Sequence, residues 1–378
     1  MSVKPPFPLM ILTPAEGVSF LLLDEQPALF SAVTQELFGL NEMAALIWCC
    51  LENGESYSKI LDQLIASGVA PADAATYIHS ASQRWLRLGL LQVDINSFNQ
   101  SDIKSEFSVI LGRLTWTFLV TSERVAHLLH QLFDNREPAR GGDRLKILEE
   151  DGLVYVLHND KCVLTRVINE VVPSIKAYLT EQLVTRCSPD IAFHAACLKR
   201  GENSLLISGR PGAGKTTLAL HLVQHGFEYC GDDIVLISPE GSAIGVPFSP
   251  TIKPGAWQLL RQSHPGLAKA SVSRRPDGKR VKYFCGSPMA KSSFYPVGWI
   301  VFLRRRSGNS ALKLVPLKRL DALKRLLESS FSPDGRLSPV VLTGLKSMIT
   351  SANSFELSYA NTNEAQAAIS AMCNDKSW

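Results

Sequence analysis

A lysine and a threonine closing a glycine-rich turn are the residues in this chain best suited to grip a phosphate. The turn reads Gly209-Arg210-Pro211-Gly212-Ala213-Gly214-Lys215-Thr216, continues with Thr217, and matches G-x-x-x-x-G-K-[ST] without a mismatch. Its glycines let consecutive backbone N–H groups face one centre, and a helix starting there adds partial positive charge. In such a loop Lys215 reaches the outer phosphates of ATP or GTP, and the Thr216 hydroxyl ligates Mg2+. Two further groups are candidates for chemistry. His194 stands in an otherwise apolar run, and the adjacent carboxylates Asp232 and Asp233 follow Lys215 by 17 and 18 residues. Alone, each would be read as a core histidine and a solvated turn; the phosphate loop between them changes that.

The elements around these residues are readable. The apolar run 204–208 predicts a buried strand, and 217–225 predicts a helix stopped by Gly226. Strand, glycine loop and helix in that order are the context the motif requires. His194 is predicted on a strand over 191–198, and the two aspartates at the start of a strand over 229–235. In motor and switch NTPases the Mg2+-associated acid ends an apolar strand. The strand over 296–303 that would supply it here runs into Arg304-Arg305-Arg306 instead. That placement argues against a transport or recombination ATPase.

Composition sets the frame. With 378 residues, 46% hydrophobic and 20% charged, the chain suits a soluble globular protein of two or three domains. It has no run of 18 apolar residues, so no membrane span is expected, and its first 17 residues lack the apolar stretch of a signal peptide. The eight cysteines (49, 50, 162, 187, 197, 230, 285 and 373) form no C-x-x-C pair, which predicts reduced thiols, no zinc site and a cytoplasmic location. Residues 1–98 hold 4 Lys/Arg against 10 Asp/Glu, and the remainder 35 against 25. Part of that basic excess lies in Lys269, Arg274, Arg275, Lys279, Arg280 and Lys282, which suits phosphate-rich or acidic ligands. No aromatic residues interleave with these charges in a nucleic-acid pattern, so no nucleic-acid partner is expected.

In chain order, short strands over 8–31 precede three predicted helices: one capped by Asn41, one over 57–67, and one from Pro71 to about Leu88 ended by Gly89. A final strand begins at Leu90. Residues 94–107 are polar and read as a linker. Beyond them, strands over 107–111, 116–121, 144–147, 153–157 and 161–165 alternate with helices over 123–133 and 169–183, an α+β cap with no visible chemistry. The expected organisation is a recognition domain over 1–97, a linker over 98–107, the cap over 108–189, and an α/β catalytic domain over 190–378.

Leu40, Asn41, Ala44, Ile47 and Trp48, followed by Leu86 and Gly89-Leu90-Leu91, resemble the PqqD-type peptide-recognition domain over most of residues 8–95. That resemblance implies a small winged-helix fold binding the leader of a ribosomally made precursor peptide, which adds as a strand beside the third helix. A domain that serves only as scaffold or in dimerisation is the competing reading. His194, Gly209–Thr217, Gly226 and Asp232-Asp233 in turn resemble the HPr kinase/phosphorylase family of bacterial serine kinases, firmly over 190–240 and in general α/β pattern beyond. This second likeness implies a phosphoenolpyruvate-carboxykinase-like P-loop domain using ATP and Mg2+. Nearest in kind are kinase homologues encoded beside peptide-modification genes, some of which phosphorylate a serine of a lasso-peptide precursor. The family often assembles into rings, so a homo-oligomer is an open option.

Positioning and charge neutralisation carry most of a phosphoryl transfer. On that basis Asp232 is assigned to accept the proton of the attacking hydroxyl, with His194 orienting it and Lys215 on the phosphates. Asp233 and Thr216 are assigned to Mg2+, with the two aspartates free to exchange roles. The family's catalytic-loop arginine and second glycine signature have no counterpart downstream. Arg274, Arg275, Arg280 or Lys253 would have to stand in, which removes the ground for expecting phosphorylase activity or an HPr substrate. The resulting expectation is an ATP-dependent kinase acting on a hydroxyl, serine first, of a peptide held by residues 1–97. Its rivals are a small-molecule kinase and a nucleotide-switched peptide-binding protein that transfers no phosphate.

Overall fold

The computed structural model describes residues 10–95, 100–188, 190–284, 286, 289–308, 310–331 and 337–375. The readings made on the first nine residues, on Cys285 and on the linker at 98–99 lie outside them. The chain divides into two compact units: Met1–Glu106 with Phe118–Val125 and Arg144–Val171, and Phe107–Thr117 with Ala126–Asp143 and Val172–Trp378. Among the described residues no helix is long and apolar enough to cross a membrane.

In the first unit β1 (Met10–Pro14), β2 (Val18–Leu23), β3 (Gln26–Ser31) and β4 (Glu36–Gly39) precede α1 (Glu42–Glu52), α2 (Tyr57–Ala66) and α3 (Pro71–Leu88). β5 (Leu91–Ile95) then pairs antiparallel with β1, while β2, β3 and β4 form an antiparallel meander. The helices fall where the sequence predicts because their end signals are local. Asn41 accepts from the Ala44 N–H at 2.8 Å, Ser56 caps α2, and Gly89 closes α3 with φ 72°. β4, four residues long, is too short to display an alternation and has no sequence sign. Ile47, Trp48, Trp85, Leu86 and Leu90 form the core, with the two indoles edge-to-face at 5.3 Å. After β6 (Ser105–Leu111), β7 (Leu114–Val120) and α4 (Glu123–Leu132), a second antiparallel meander follows: β8 (Asp143–Glu150), β9 (Leu153–His158) and β10 (Lys161–Val167). Leu153, Tyr155 and Leu157 of β9 join the same core as the two tryptophans.

The second unit begins its sheet after α5 (Ile168–Arg186). The order along the chain is β11 (Ile191–Phe193), β12 (Ala196–Arg200), β13 (Asn203–Gly209), α6 (Lys215–Val223), β14 (Glu228–Gly231), β15 (Val235–Ile237) and β16 (Ser242–Gly245). Next come β17 (Thr251–Ile252), α7 (Pro254–Leu260), β18 (Val272–Arg274), β19 (Arg280–Tyr283), β20 (Tyr295–Arg305), β21 (Lys313–Pro316) and α8 (Arg319–Leu327). β22 (Ser330–Phe331), α9 (Pro339–Ser351), β23 (Asn353–Tyr359) and α10 (Thr362–Asn374) complete it. Ten strands make one sheet, ordered β14-β12-β13-β20-β16-β15-β11-β22, with β23 also on β20 and β21 on β23. β13, β20 and β23 run parallel, and β20 is long enough for its first residues to pair with β16.

Period-two alternation in the parallel strands feeds both faces. Leu205, Ile207, Val301 and Leu303 pack with α6 and α10 through Leu218, Leu222 and Ile369. Leu206, Ile300 and Phe302 pack with α8 and α9 through Leu326, Leu345 and Met348. The α/β class is the one the sequence predicts, and the parallel strands β13, β20 and β23 are what the structure adds. A separate three-stranded sheet, β17-β19-β18, carries the basic segment.

Candidate functional site

Two expected strands are each broken, and the breaks hold the candidate residues. β11 pairs with β15 and β22, whereas β12 pairs with β13 and β14, so the chain changes partners between Phe193 and Ala196. His194 sits at that change. β14 pairs with β12 but β15 pairs with β11 and β16, so the chain changes partners again, in the opposite sense, at Asp232 and Asp233. These aspartates therefore occupy a joint between two strands rather than the start of one. Asp233 makes the turn in the left-handed region, φ 80°, which aspartate tolerates better than most side chains. Gly231 lets the backbone cross close to Val246, whose main chain a side chain there would strike. The two joints touch: His194 Nδ1 lies 2.9 Å from the Asp233 carbonyl oxygen.

The phosphate loop follows β13 as predicted, but its helix starts at Lys215, two residues earlier than expected. Gly214, with φ 92°, is the N-cap and leaves the next residue free to enter the helix. Arg210, Pro211 and Gly212 form the exposed tip, with Gly212 at φ 87°, and Thr217 lies in the first turn of α6. Lys215 is buried and its Nζ donates to the Gly209 carbonyl at 2.8 Å, a ligand-like oxygen of its own loop. Tyr359, from the end of β23, donates its hydroxyl to the Ala213 carbonyl at 2.7 Å. A side chain on Gly214 would run into that hydroxyl. Thr216 donates to Asp232 Oδ2 at 2.6 Å, so the loop hydroxyl meets Asp232 and not Asp233.

The two carboxylates live in opposite fields. Asp232 is 1% exposed, and its Oδ1 has no hydrogen-bond partner among the described residues. Burial, with the charge of Asp233 second, pushes its pKa up to about 6. For Asp233 burial acts in the same direction, but the Lys176 ammonium outweighs it and holds the carboxyl down at about 2. Lys176 Nζ is 2.5 Å from Asp233 Oδ2 and 2.6 Å from the Thr251 hydroxyl. Burial and the nearby Lys215 charge depress the His194 pKa, favouring the neutral imidazole. Burial also depresses Lys215, with Lys253 adding to the effect.

Lys176, in a stretch where sequence reasoning saw no chemistry, is the main omission. Its only sequence sign is helical phase. It shares a face of α5 with Val172, Leu179 and Leu183, all buried, where a lysine head has no route to water without a partner. Thr251 and Tyr359 carry no sign at all.

A cleft of about 1020 Å³ opens along the loop, lined by Gly209–Ala213 together with His194, Arg304, Arg305, Arg325 and Glu356. It lies at the carboxyl ends of the parallel strands, where α/β sheets bind ligands. The arginines that end β20 thus line the site, and Arg325 donates to Glu356 at 2.6 Å. Of the other basic candidates, Arg274 and Arg280 are cross-strand partners on an exposed hairpin, and Arg275 pairs with Asp277 at 3.4 Å. Lys253, at the N-cap position of α7, is near enough to Lys215 for its charge to act there. Among the described residues no three His, Cys, Asp or Glu side chains gather as a metal cage. The bare, buried Asp232 Oδ1 beside the Thr216 hydroxyl still suits Mg2+, a hard cation that binds through one or two protein oxygens and completes its shell with phosphate and water.

The first unit has its own hollow of about 330 Å³, lined by Phe38, Leu40 and Asn41 from the end of β4 into α1 and by Ala81, Arg84 and Trp85 of α3.

No family model matches the chain. It is 27% identical over 129 residues to a putative HPr kinase/phosphorylase 2 of Oceanobacillus iheyensis, covering 31% of this chain and 42% of that protein. It is 30% identical over 140 residues to the HPr kinase/phosphorylase of an Azoarcus species, covering 34% and 41%. Over 78 residues it is 33% identical to the HPr kinase/phosphorylase of Listeria monocytogenes, covering 21% and 25%. The chain thus spans about two fifths or less of these curated relatives. The HPr(Ser) kinase/phosphatase structure from Coxiella burnetii aligns over 48% of this chain and 90% of its own, at 11% identity and a TM-score of 0.24. Over about a third of its length, the chain is distantly similar to HPr kinase/phosphorylases.

Proposed function

We propose that this protein is a cytoplasmic ATP-dependent phosphotransferase that moves the γ-phosphate of ATP to a hydroxyl, serine first, of a peptide captured by residues 1–97. The observation that carries the reading is the buried Asp232 carboxylate, bonded to the loop threonine through one oxygen and bare on the other. Lys215 leaves the Gly209 carbonyl for the phosphates of the bound nucleotide, and the amides of Gly212–Thr216 close around them. Thr216 and Asp232 hold Mg2+, which neutralises charge on the phosphates. This exchanges the roles expected for the two aspartates, because Thr216 contacts Asp232 while Lys176 and Thr251 engage Asp233. Asp233 then aims the attacking hydroxyl, with His194 beside it. A carboxylate held ionised by Lys176 orients the hydroxyl first and takes its proton late, as the new O–P bond forms and the bond to ADP breaks, since a loose transition state asks for orientation more than early proton removal.

Two features support peptide capture. β4 ends its meander, so its outer edge can take an added strand, and the hollow beside it is walled by α3. Both features support the strand addition that the PqqD resemblance implies.

The test is transfer of label from γ-labelled ATP with Mg2+ to precursor-like peptides, with Lys215→Ala and Asp232→Asn as controls. Label on a peptide serine, lost in both variants, is the expected result. Binding of ATP and peptide without label overturns the kinase reading in favour of a nucleotide-switched binding protein. Label on a small molecule without peptide points to the small-molecule kinase.

A further inference from the structure

We infer that Lys176 is a positioning residue that does for Asp233 what a second metal ion would otherwise do, leaving the site to take one divalent cation at Thr216 and Asp232. The inference rests on the phosphotransfer reading and deepens it. Lysine normally keeps its ammonium in water by extending its stem. This one turns inward, 8% exposed, onto two oxygens at 2.5 and 2.6 Å, with the rings of Phe248 and Tyr283 at 5.4 and 5.7 Å from the nitrogen. Aromatic faces and oxygen donors around one buried ammonium make a closed cation site whose occupant is covalently tethered.

The carboxylate it grips is constrained at its backbone as well, by the left-handed turn at Asp233 and by His194 on its carbonyl. Together these fix Asp233 at both ends of its side chain. A pair of divalent ions about 4 Å apart is the usual way to clamp attacking and leaving oxygens. Here Asp233 Oδ2 is already held by Lys176 and Thr251, and of the two aspartates Asp232 is the one with a buried oxygen lacking a hydrogen-bond partner among the described residues. A tethered ammonium holds its carboxylate at any concentration of free metal.

The experiment counts Mn2+ by electron paramagnetic resonance with a non-hydrolysable ATP analogue bound, then measures transfer. One Mn2+ per nucleotide is expected in the wild type, and two in Lys176→Ala, where the vacated space and the freed carboxylate admit the second. Two in the wild type, or one in both, overturns the inference. In the transfer assay Lys176→Met should be slower by about 100-fold at unchanged ATP affinity, as expected when a reacting group is displaced without loss of binding. Methylammonium should restore Lys176→Ala but not Lys176→Met, whose side chain fills the space. Wild-type turnover in Lys176→Met overturns the positioning role. If Lys176→Met does not fold, the double variant with Asp233→Asn removes both buried charges and must still bind one Mn2+; none bound overturns the assignment to Thr216 and Asp232. A wild type that binds one Mn2+ yet transfers no phosphate sinks the kinase reading alone.

Discussion

The phosphate loop and the acidic joint are neighbours in space, yet they are built on opposite principles. The loop is one continuous run in which three glycines with positive φ set the backbone and a helix start supplies the charge. The joint draws on residues 176, 194, 232, 233 and 251, and its geometry exists only because the chain twice changes partners within the sheet. Gripping a phosphate is therefore a local property here, while the place of reaction is a tertiary one. The comparison predicts that damage to the loop appears as lost nucleotide affinity. Damage to the joint should appear as lost transfer at retained affinity.

The sharpest way to break that distinction is to set Asp232→Asn against Lys215→Ala. Asp232→Asn should slow single-turnover transfer by about 100- to 1000-fold, the scale of removing one preorganised group from the transition state. Its affinity for ATP without Mg2+, read by titration, should match the wild type. Lys215→Ala should weaken that metal-free affinity and slow transfer as well. Equal loss of metal-free affinity in both variants would show that loop and joint are one energetic unit.

Gly214→Ala tests the loop on its own terms. Alanine in the left-handed region is disfavoured by about 1–2 kcal/mol, and here the new methyl also displaces the Tyr359 hydroxyl. Thermal unfolding should show the loss, and ATP affinity should fall with it. Adding Tyr359→Phe removes the obstructing oxygen, so the double variant should recover part of the stability lost by Gly214→Ala. Strict additivity would mean that the strain lies in φ alone.

What was legible in the sequence follows the same division. The loop motif, the strand before it, the glycine that ends α3 and the Asn41 cap are each specified by residues within about four positions, so reading along the chain finds them. His194, Asp232 and Asp233 are legible as types and spacing, but the sequence predicts continuous strands around them. Nothing in runs such as Ile191–Leu198 announces that hydrogen-bond partners change halfway. Lys176 and Tyr359 escape for a stronger reason: their partners are 57 and 146 residues away. The exchange of roles between the aspartates rests on such a contact too, the 2.6 Å bond from Thr216. Likewise the apolar run of β9 predicts a strand, but not that Tyr155 joins the core of Trp48 and Trp85.

Tyr359→Phe is the smallest perturbation and the most informative about the loop's one long-range support. The phenol is 1% exposed and its hydroxyl serves the Ala213 carbonyl, itself part of the turn that presents Gly214 and Lys215. Removing the donor leaves a buried acceptor unpaired, a penalty of about 1–3 kcal/mol. Thermal unfolding should register it. The ring remains, so the packing of Tyr359 with Leu357, Phe355 and Ala365 in the core is kept, and any change in ATP affinity reports the loop rather than the core. A several-fold weaker ATP titration with Mn2+ still bound one per nucleotide would show the loop loosened and the joint intact. Lower stability at unchanged ATP affinity would instead show that the glycines alone hold the loop, and that the tyrosine serves the sheet.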